Sequence, residues 1–126
     1  MRNVTARTAE INKNAVIKIA NRTGEVIKLP YNVEQYVYGD MQEIECCLMP
    51  FNNAYQAQAY GVSLIGGKKV SLTIEQAKLF NEFTHIWIEK EPPTDKQYPE
   101  YKVKQISTTL NNGVLILDKI EGNNAV

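Results

Sequence analysis

A chain of 126 residues with 44% apolar content has room for one compact domain with a modest core, and not for two. Its 14 basic and 14 acidic residues cancel, so the broad positive field that drives non-specific nucleic-acid binding by counterion release is missing. No run reaches the ~18 apolar residues of a membrane span and MRNVTARTAEINKN lacks a signal-like apolar stretch, so a soluble chain with no membrane partner and no export by the usual route is expected.

Residues 1–14 are polar and aperiodic, which predicts an extended arm or a frayed terminus ahead of a core at 15–120 and a short tail at 121–126. VIKIA (16–20) and EVIKL (25–29) flank Asn21-Arg22-Thr23-Gly24. Because that glycine can take a positive φ, the economical reading is a hairpin with Ile17, Ile19, Ile27 and Leu29 inward. Pro30 cannot donate to a ladder and should end the second strand, leaving YNVEQYVYGD as loop or irregular edge. In EIECCLM (43–49) Ile44, Cys46 and Leu48 alternate with acidic and polar positions, which predicts a half-buried strand closed by Pro50.

The next stretch, 51–67, is rich in Asn, Gln, Tyr and Gly and ends in Gly66-Gly67, as suits a long surface excursion with about one helical turn. Val70, Leu72 and Ile74 alternate with Ser71 and Thr73 in a third strand. Thr73 and Gln76 have capping-box spacing, and Ala77, Phe80 and Phe83 recur at helical spacing, so a short helix is predicted over 75–83.

The last third is a strand meander. In HIWIE (85–89) Ile86 and Ile88 face one side and Trp87 the other, making Trp87 an outer-face aromatic suited to a subunit contact. The apolar phase of YKVKQI slips between Val103 and Ile106, and a bulge near Lys104 and Gln105 would return both to the core. Val114 to Leu117 are apolar on both faces, so one face must meet a helix or another subunit. The fold class expected is mainly β: a small antiparallel β-barrel or sandwich with a long loop and one short helix.

Catalytic chemistry has little to build on. Cys46 and Cys47, the only cysteines, are adjacent; neighbouring strand residues point to opposite faces, which strains a mutual disulfide and suits a reducing assembly environment. Either thiol could pair with His85, the single histidine, to make a nucleophile, but a small core residue and a strand-start surface histidine account for them better, because buried cysteines are commonly inert. Two cysteines and one histidine are too few for a usual metal site, and the glycines at 61, 66, 67 and 113 fit no phosphate-binding fingerprint. Asp40, Glu43 and Glu45 read as an acidic face: a paired acid-base site, a negative channel lining or a solvated strand edge. The seven tyrosines could stack bases, but without interleaved Lys and Arg they suit packing and protein contacts better. The chain is expected to be neither an enzyme nor a cofactor carrier.

IECCLMPFNNAYQAQAYGVSL (44–64), HIWIEKEP (85–92) and YKVKQISTTLNNGVLILDKI (101–120), in that order, resemble the head-closure or head-tail joining proteins of long-tailed bacteriophages, also called stopper or minor capsid proteins. The resemblance covers roughly 44–120; residues 73–83 and the PPTDKQYPE loop are not obligatory in that family. It implies a small β-barrel that assembles with its own copies into a ring between the portal or adaptor protein and the tail protein. Such a ring forms in the host cytoplasm, ends in the virion and retains packaged DNA without sequence-specific contacts.

By the same resemblance the long-loop role falls on 51–67, with Phe51, Asn52, Asn53, Tyr55, Gln56 and Tyr60 facing the channel or the adaptor. A head-to-tail ring needs two different, partly apolar patches, and Trp87, Tyr98, Tyr101, Leu115 and Leu117 are the residues expected to supply them. The alternative reading is a small β-rich binding or inhibitor module of phage origin that sequesters a ligand or a host protein.

Overall fold

The computed structural model describes residues 13–120. The first twelve residues of the expected arm and the whole tail at 121–126 lie outside the described residues.

Six antiparallel strands close into a barrel in the order β1-β4-β5-β8-β7-β6: β1 (Ala15–Ala20), β4 (Gln42–Pro50), β5 (Gly67–Thr73), β6 (His85–Trp87), β7 (Tyr101–Thr108) and β8 (Asn112–Lys119). Two further strands, β2 (Arg22–Leu29) and β3 (Val33–Tyr38), pair only with each other. Two short helices complete the chain, α1 (Ala54–Ala59) and α2 (Ile74–Ala77). The expectation of a mainly β barrel holds, with two short helices in place of one.

Period-two alternation fills the barrel. Ile17 and Ile19 of β1, Ile44 and Cys46 of β4, Val70 and Leu72 of β5, Ile86 of β6, and Leu115 and Leu117 of β8 form one buried interior cluster. Each such aliphatic side chain contributes about 1.5–3 kcal/mol by leaving water. The slip in β7 is a bulge: Val103 pairs with Leu117 but Gln105 with Ile116, so Lys104 is the extra residue. Val103 and Ile106 therefore both pack against the interior, as the apolar phase requires.

β1, β5 and β7 run toward one end of the barrel and β4, β6 and β8 away from it. At that first end α2 closes the interior. Thr73 accepts from Gln76 N and Gln76 Oε1 accepts from Thr73 N, both at 3.1 Å, so the capping box is present. The helix is one turn, not the nine residues 75–83: Ala77 and Phe80 enter the core while Phe83 stays 45% exposed. Burial of two apolar anchors, and not the helical period, sets its length. Gly113 makes this plug fit, because a Cβ there would lie 2.5 Å from Ala77 Cβ.

β8 is apolar on both faces because it lies between two cores. Its inward residues fill the barrel, and its outward Ile116 packs with Phe51, Ala57 and Val62 in a second cluster that Tyr60 and Val114 border. The outer partner of β8 is thus the α1 segment of the same chain. Gly67 lets that segment close on the sheet: a Cβ there would stand 2.8 Å from Ser63 O and 2.9 Å from Phe51 Cδ2.

The expected β1–β2 hairpin does not form. β1 is flanked by β4 and β6, and the chain leaves the barrel at Asn21. There the Asn21 carbonyl accepts from Gly39 N at 2.8 Å, its Nδ2 donates to Leu79 O at 2.8 Å, and its Oδ1 accepts from Thr84 Oγ1 at 2.5 Å. Gly24, at φ 97, lies in an irregular stretch of β2 between the pairs Arg22–Tyr38 and Val26–Tyr36, not in a hairpin turn. YNVEQYVYGD, read as loop or irregular edge, contains the edge strand β3, and the turn before it is made by Tyr31 and Asn32 in the left-handed region, at φ 66 and 62. Ile27 and Leu29 are consequently exposed instead of inward.

Candidate docking surface

The ribbon of β2 and β3 leaves the barrel at the α2 end and is held there by stacked side chains. The Arg22 guanidinium lies between the rings of Tyr36 and Phe83, 3.7 and 3.8 Å from their centroids. Its Nε donates to Tyr38 OH at 3.4 Å, and Tyr38 OH donates to Phe83 O at 2.9 Å. Tyr38 stacks on His85 with centroids 3.8 Å apart, and His85 meets the edge of Trp87 at 6.0 Å. Gln97 Nε2 donates to Tyr36 O at 2.8 Å, tying the edge of β3 to the loop that follows β6.

His85 is fixed from both sides. Its Nδ1 donates to the Lys96 carbonyl at 2.7 Å, which sets the tautomer. Burial lowers its pKa from 6.5; the Lys96 carbonyl opposes the shift and the Arg22 guanidinium adds to it. The junction therefore holds a neutral imidazole next to a permanent cation.

Beyond the junction the ribbon has apolar residues that are exposed among the described residues. Pairing of Ile27 with Gln35 and of Leu29 with Val33 sets Ile27, Leu29 and Val33 on one face. All three are exposed, and Tyr31 at the tip is 96% exposed. Because the barrel is closed, the ribbon supplies the free strand edges among the described residues. A two-stranded ribbon is marginal in water by itself, so the anchored root maintains it.

The residues expected to form a channel or adaptor loop are partly brought together. Asn52, Gln56 and Tyr60, with buried Phe51, line a cavity of about 520 Å³ beside Lys69. Asn53 is the N-cap of α1, its side chain accepting from Gln56 N at 2.9 Å. Tyr55 is exposed on α1, apart from that lining.

Four of the five expected interface residues are not on the surface. Trp87 does face away from the barrel interior, but residues 88–100 cover it, leaving it 1% exposed with Nε1 donating to Tyr98 O at 2.9 Å. Tyr101, Leu115 and Leu117 point into the barrel, so Val114 and Ile116, not Leu115 and Leu117, are the outward pair. Tyr98 alone of the five is exposed. Of the acidic residues, Glu43 and Glu45 are exposed on β4 opposite Lys18 and Val16 of β1, and Asp40 lies exposed in the link between β3 and β4.

The far end of the barrel contains a carboxylate that composition could not single out. Glu100 is 4% exposed, and its Oε1 accepts from the backbone N–H groups of Ile88, Glu89 and Lys90 at 2.9, 2.8 and 3.0 Å. Burial alone would raise its pKa, but those three donors together with Lys119 hold it below the usual carboxylate value. Among the described residues its Oε2 has no hydrogen-bond partner, and it faces Lys119 Nζ at 4.0 Å. Next to it Ser63, Leu64, Ile65, Gly66, Lys90, Lys119 and Ile120 line a cavity of about 740 Å³.

Cys46 lies in the interior cluster, where burial first, and then Cys47, pushes its thiol up to about 11. His85 makes its contacts with Tyr38, Trp87 and the Lys96 carbonyl, not with a thiol. Among the described residues no group of three or more His, Cys, Asp or Glu side chains is arranged to hold a metal ion, and no helix is long and apolar enough to cross a membrane.

No family model matches the chain, and no curated protein or solved structure matches it either.

Proposed function

We propose that this chain is a ring-forming structural connector of a long-tailed phage, a head-closure protein that joins the portal or adaptor to the tail and retains packaged DNA. The observation that carries the reading is the pairing of a closed, rigid barrel with an anchored ribbon whose Ile27, Leu29, Tyr31 and Val33 stand in water. Exposed apolar residues contiguous on one projecting element mark an interaction surface. A subunit whose body is rigid and whose arm is apolar gains free energy when the arm meets another protein, and no bond needs to be made or broken.

Charge supports the same role. Equal numbers of acidic and basic residues, with Glu43 and Glu45 exposed on β4, give no attraction that would bind DNA in place. Closure of a channel is then steric.

The test is genetic and structural. Particles assembled without the protein should accumulate as tailless heads that lose their DNA, and adding the purified chain should restore tail joining. Tailed, full particles formed in its absence would overturn the reading.

The alternative, a small module that sequesters a ligand or host protein, is favoured by one observation, the 740 Å³ cavity with Lys90 and Lys119 at its wall. A monomeric chain that retains a stoichiometric small-molecule ligand through purification would favour that alternative.

A further inference from the structure

On the outer face of the barrel one row of side chains runs across three strands. Ile116 of β8 pairs with Lys69 of β5, and Lys69 pairs with Met49 of β4, so the three share the face turned away from the interior. The α1 segment covers the first of them, since Ile116 packs with Phe51, Ala57 and Val62. The other two stand at the hollow of about 520 Å³, where Phe51 and Tyr60 form a ring pair with centroids 5.6 Å apart and planes inclined by 39°.

Four polar side chains meet at this hollow. Asn52 and Gln56 bring carboxamides, Tyr60 a hydroxyl and Lys69 an ammonium. Among the described residues none of these four groups takes part in a hydrogen bond or an ion pair. The backbone that bears them is fixed all the same. Asn53 caps α1, Tyr60 N and Val62 N donate to Ala57 O at 3.1 and 3.0 Å, and Lys69 is paired on both sides. An apolar floor with a few convergent polar groups is the usual form of a small-molecule site, and the volume falls in the roughly 300–1,000 Å³ of such sites.

The residue types select the ligand. An aromatic wall takes a flat ring by its face. A carboxamide presents donor and acceptor side by side, which matches the edge of a nucleobase. A lysine with no carboxylate partner takes a phosphate as a point charge. Lys69 is the one cation in the lining, which suits a single phosphate, whereas a strand would need a series of cations along its backbone.

We infer that this hollow binds a nucleoside monophosphate, with the base against Tyr60, its edge on the amides of Asn52 and Gln56, and its phosphate on Lys69. The inference goes beyond the connector reading and does not rest on it.

Calorimetric titration of the full chain with adenosine 5′-monophosphate provides the test, and amide chemical shifts place the ligand. One saturable site is expected, with shifts at residues 49–60 and 69. Lys69→Ala should weaken the nucleotide roughly tenfold through loss of a charge-assisted contact, and leave adenosine within about twofold. Tyr60→Leu should weaken both roughly tenfold, whereas Tyr60→Phe keeps the ring and should bind both nearly as the native chain does. Asn52→Ala and Gln56→Ala should each narrow the gap between adenosine monophosphate and ribose 5-phosphate. Tyr60 borders the second core, so thermal unfolding accompanies each variant. Should Tyr60→Leu lose the fold, the contrast between nucleotide and nucleoside in Lys69→Ala, an outward side chain, decides by itself.

No saturation by nucleotide or nucleoside up to about 10 mM overturns the inference, because affinity weaker than that is too small for a specific site. Inorganic phosphate or methyl glucoside that binds as tightly as the nucleotide also overturns it, leaving an anion site or a sugar site. Shifts centred on Ser63, Leu64 and Lys119 would move the ligand to the other cavity and remove this one. All of these leave the connector reading as it was, just as tailed, full particles formed without the protein would leave the nucleotide site standing.

Discussion

Tyr38 of the ribbon lies flat on His85 of the barrel, ring centroids 3.8 Å apart and planes inclined by 16°. The contact joins the projecting ribbon to the closed barrel, and it is made through a side chain that can change charge near neutrality. Because burial and Arg22 lower the His85 pKa from 6.5, the neutral form is the one the fold prefers. A base with a depressed folded pKa contributes stability that is present above its unfolded value and lost as pH falls through the folded one.

The prediction is a ribbon that loosens in acid. The imidazole signals of the single histidine should titrate with a midpoint below 6.5, and exchange protection of the β2 and β3 amides should fall over the same range while the barrel amides keep theirs. Tyr38→Leu should cost about 0.5–1.5 kcal/mol through loss of the ring pair and raise ribbon exchange at all pH values. A midpoint at or above 6.5 would remove the coupling.

At the other end, Glu100 determines where β6 stops. Its carboxylate takes three consecutive backbone donors, so residues 88–90 turn onto a side chain instead of continuing the ladder to β1. Glu100→Ala leaves those N–H groups unmatched at a buried site and should destabilise the chain by roughly 3–5 kcal/mol. Glu100→Gln keeps one acceptor and should lose less. The carboxyl pKa is depressed in the fold, so its contribution is present above the unfolded value of 4.5 and disappears as pH falls through the folded one. Urea midpoints measured from pH 6 downward, for the native chain and Glu100→Gln, should converge in acid. Parallel curves would show that the charge contributes nothing.

What the sequence made legible was local. Alternation in β4 and β5, the Thr73–Gln76 box and the bulge at Lys104 each depend on a few consecutive residues, and each is present. What escaped depends on distant partners. Two neighbouring apolar runs look like a hairpin whether or not they pair, and the tie that sends the chain out of the barrel at Asn21 uses Leu79 and Thr84. Alternation gave the direction of Trp87 but not the loop over it. For β8 it gave two equivalent faces, and the deciding signal, Gly113 on the face that meets Ala77, has meaning only once α2 is in place. β3 was within reach: Val33, Gln35 and Val37 alternate with Glu34, Tyr36 and Tyr38, all β-compatible between turn residues.

Gly113 supports a third prediction. With Ala77 Cβ 2.5 Å from where a methyl would sit, Gly113→Ala must push α2 off the barrel end or bend β8. Overpacking of that kind costs typically about 1–3 kcal/mol. Thermal unfolding should show the loss in Gly113→Ala, and Ala77→Gly in the same chain should recover part of it, because the contact is between those two carbons. Equal loss with and without the second change would locate the strain elsewhere.

The two adjacent thiols provide a probe of whether the barrel opens as a unit. Cys46 points into the interior cluster and its thiol is pushed up to about 11, whereas Cys47, its neighbour on the opposite face of β4, is half-buried. At pH 8 the thiolate that attacks a disulfide reagent is nearly absent at Cys46, and the reagent has no path to it while β4 is paired with β1 and β5. Labelling should therefore show two phases: a fast one removed by Cys47→Ser, and a slow one whose rate follows global unfolding as denaturant rises. Cys46→Ser places a hydroxyl among aliphatic side chains and should cost roughly 1–3 kcal/mol, while Cys47→Ser should stay within about 0.5 kcal/mol. If Cys46 reacts as fast as Cys47 in the native chain, β4 opens locally, and the barrel is then a less rigid base for the ribbon than its closure implies.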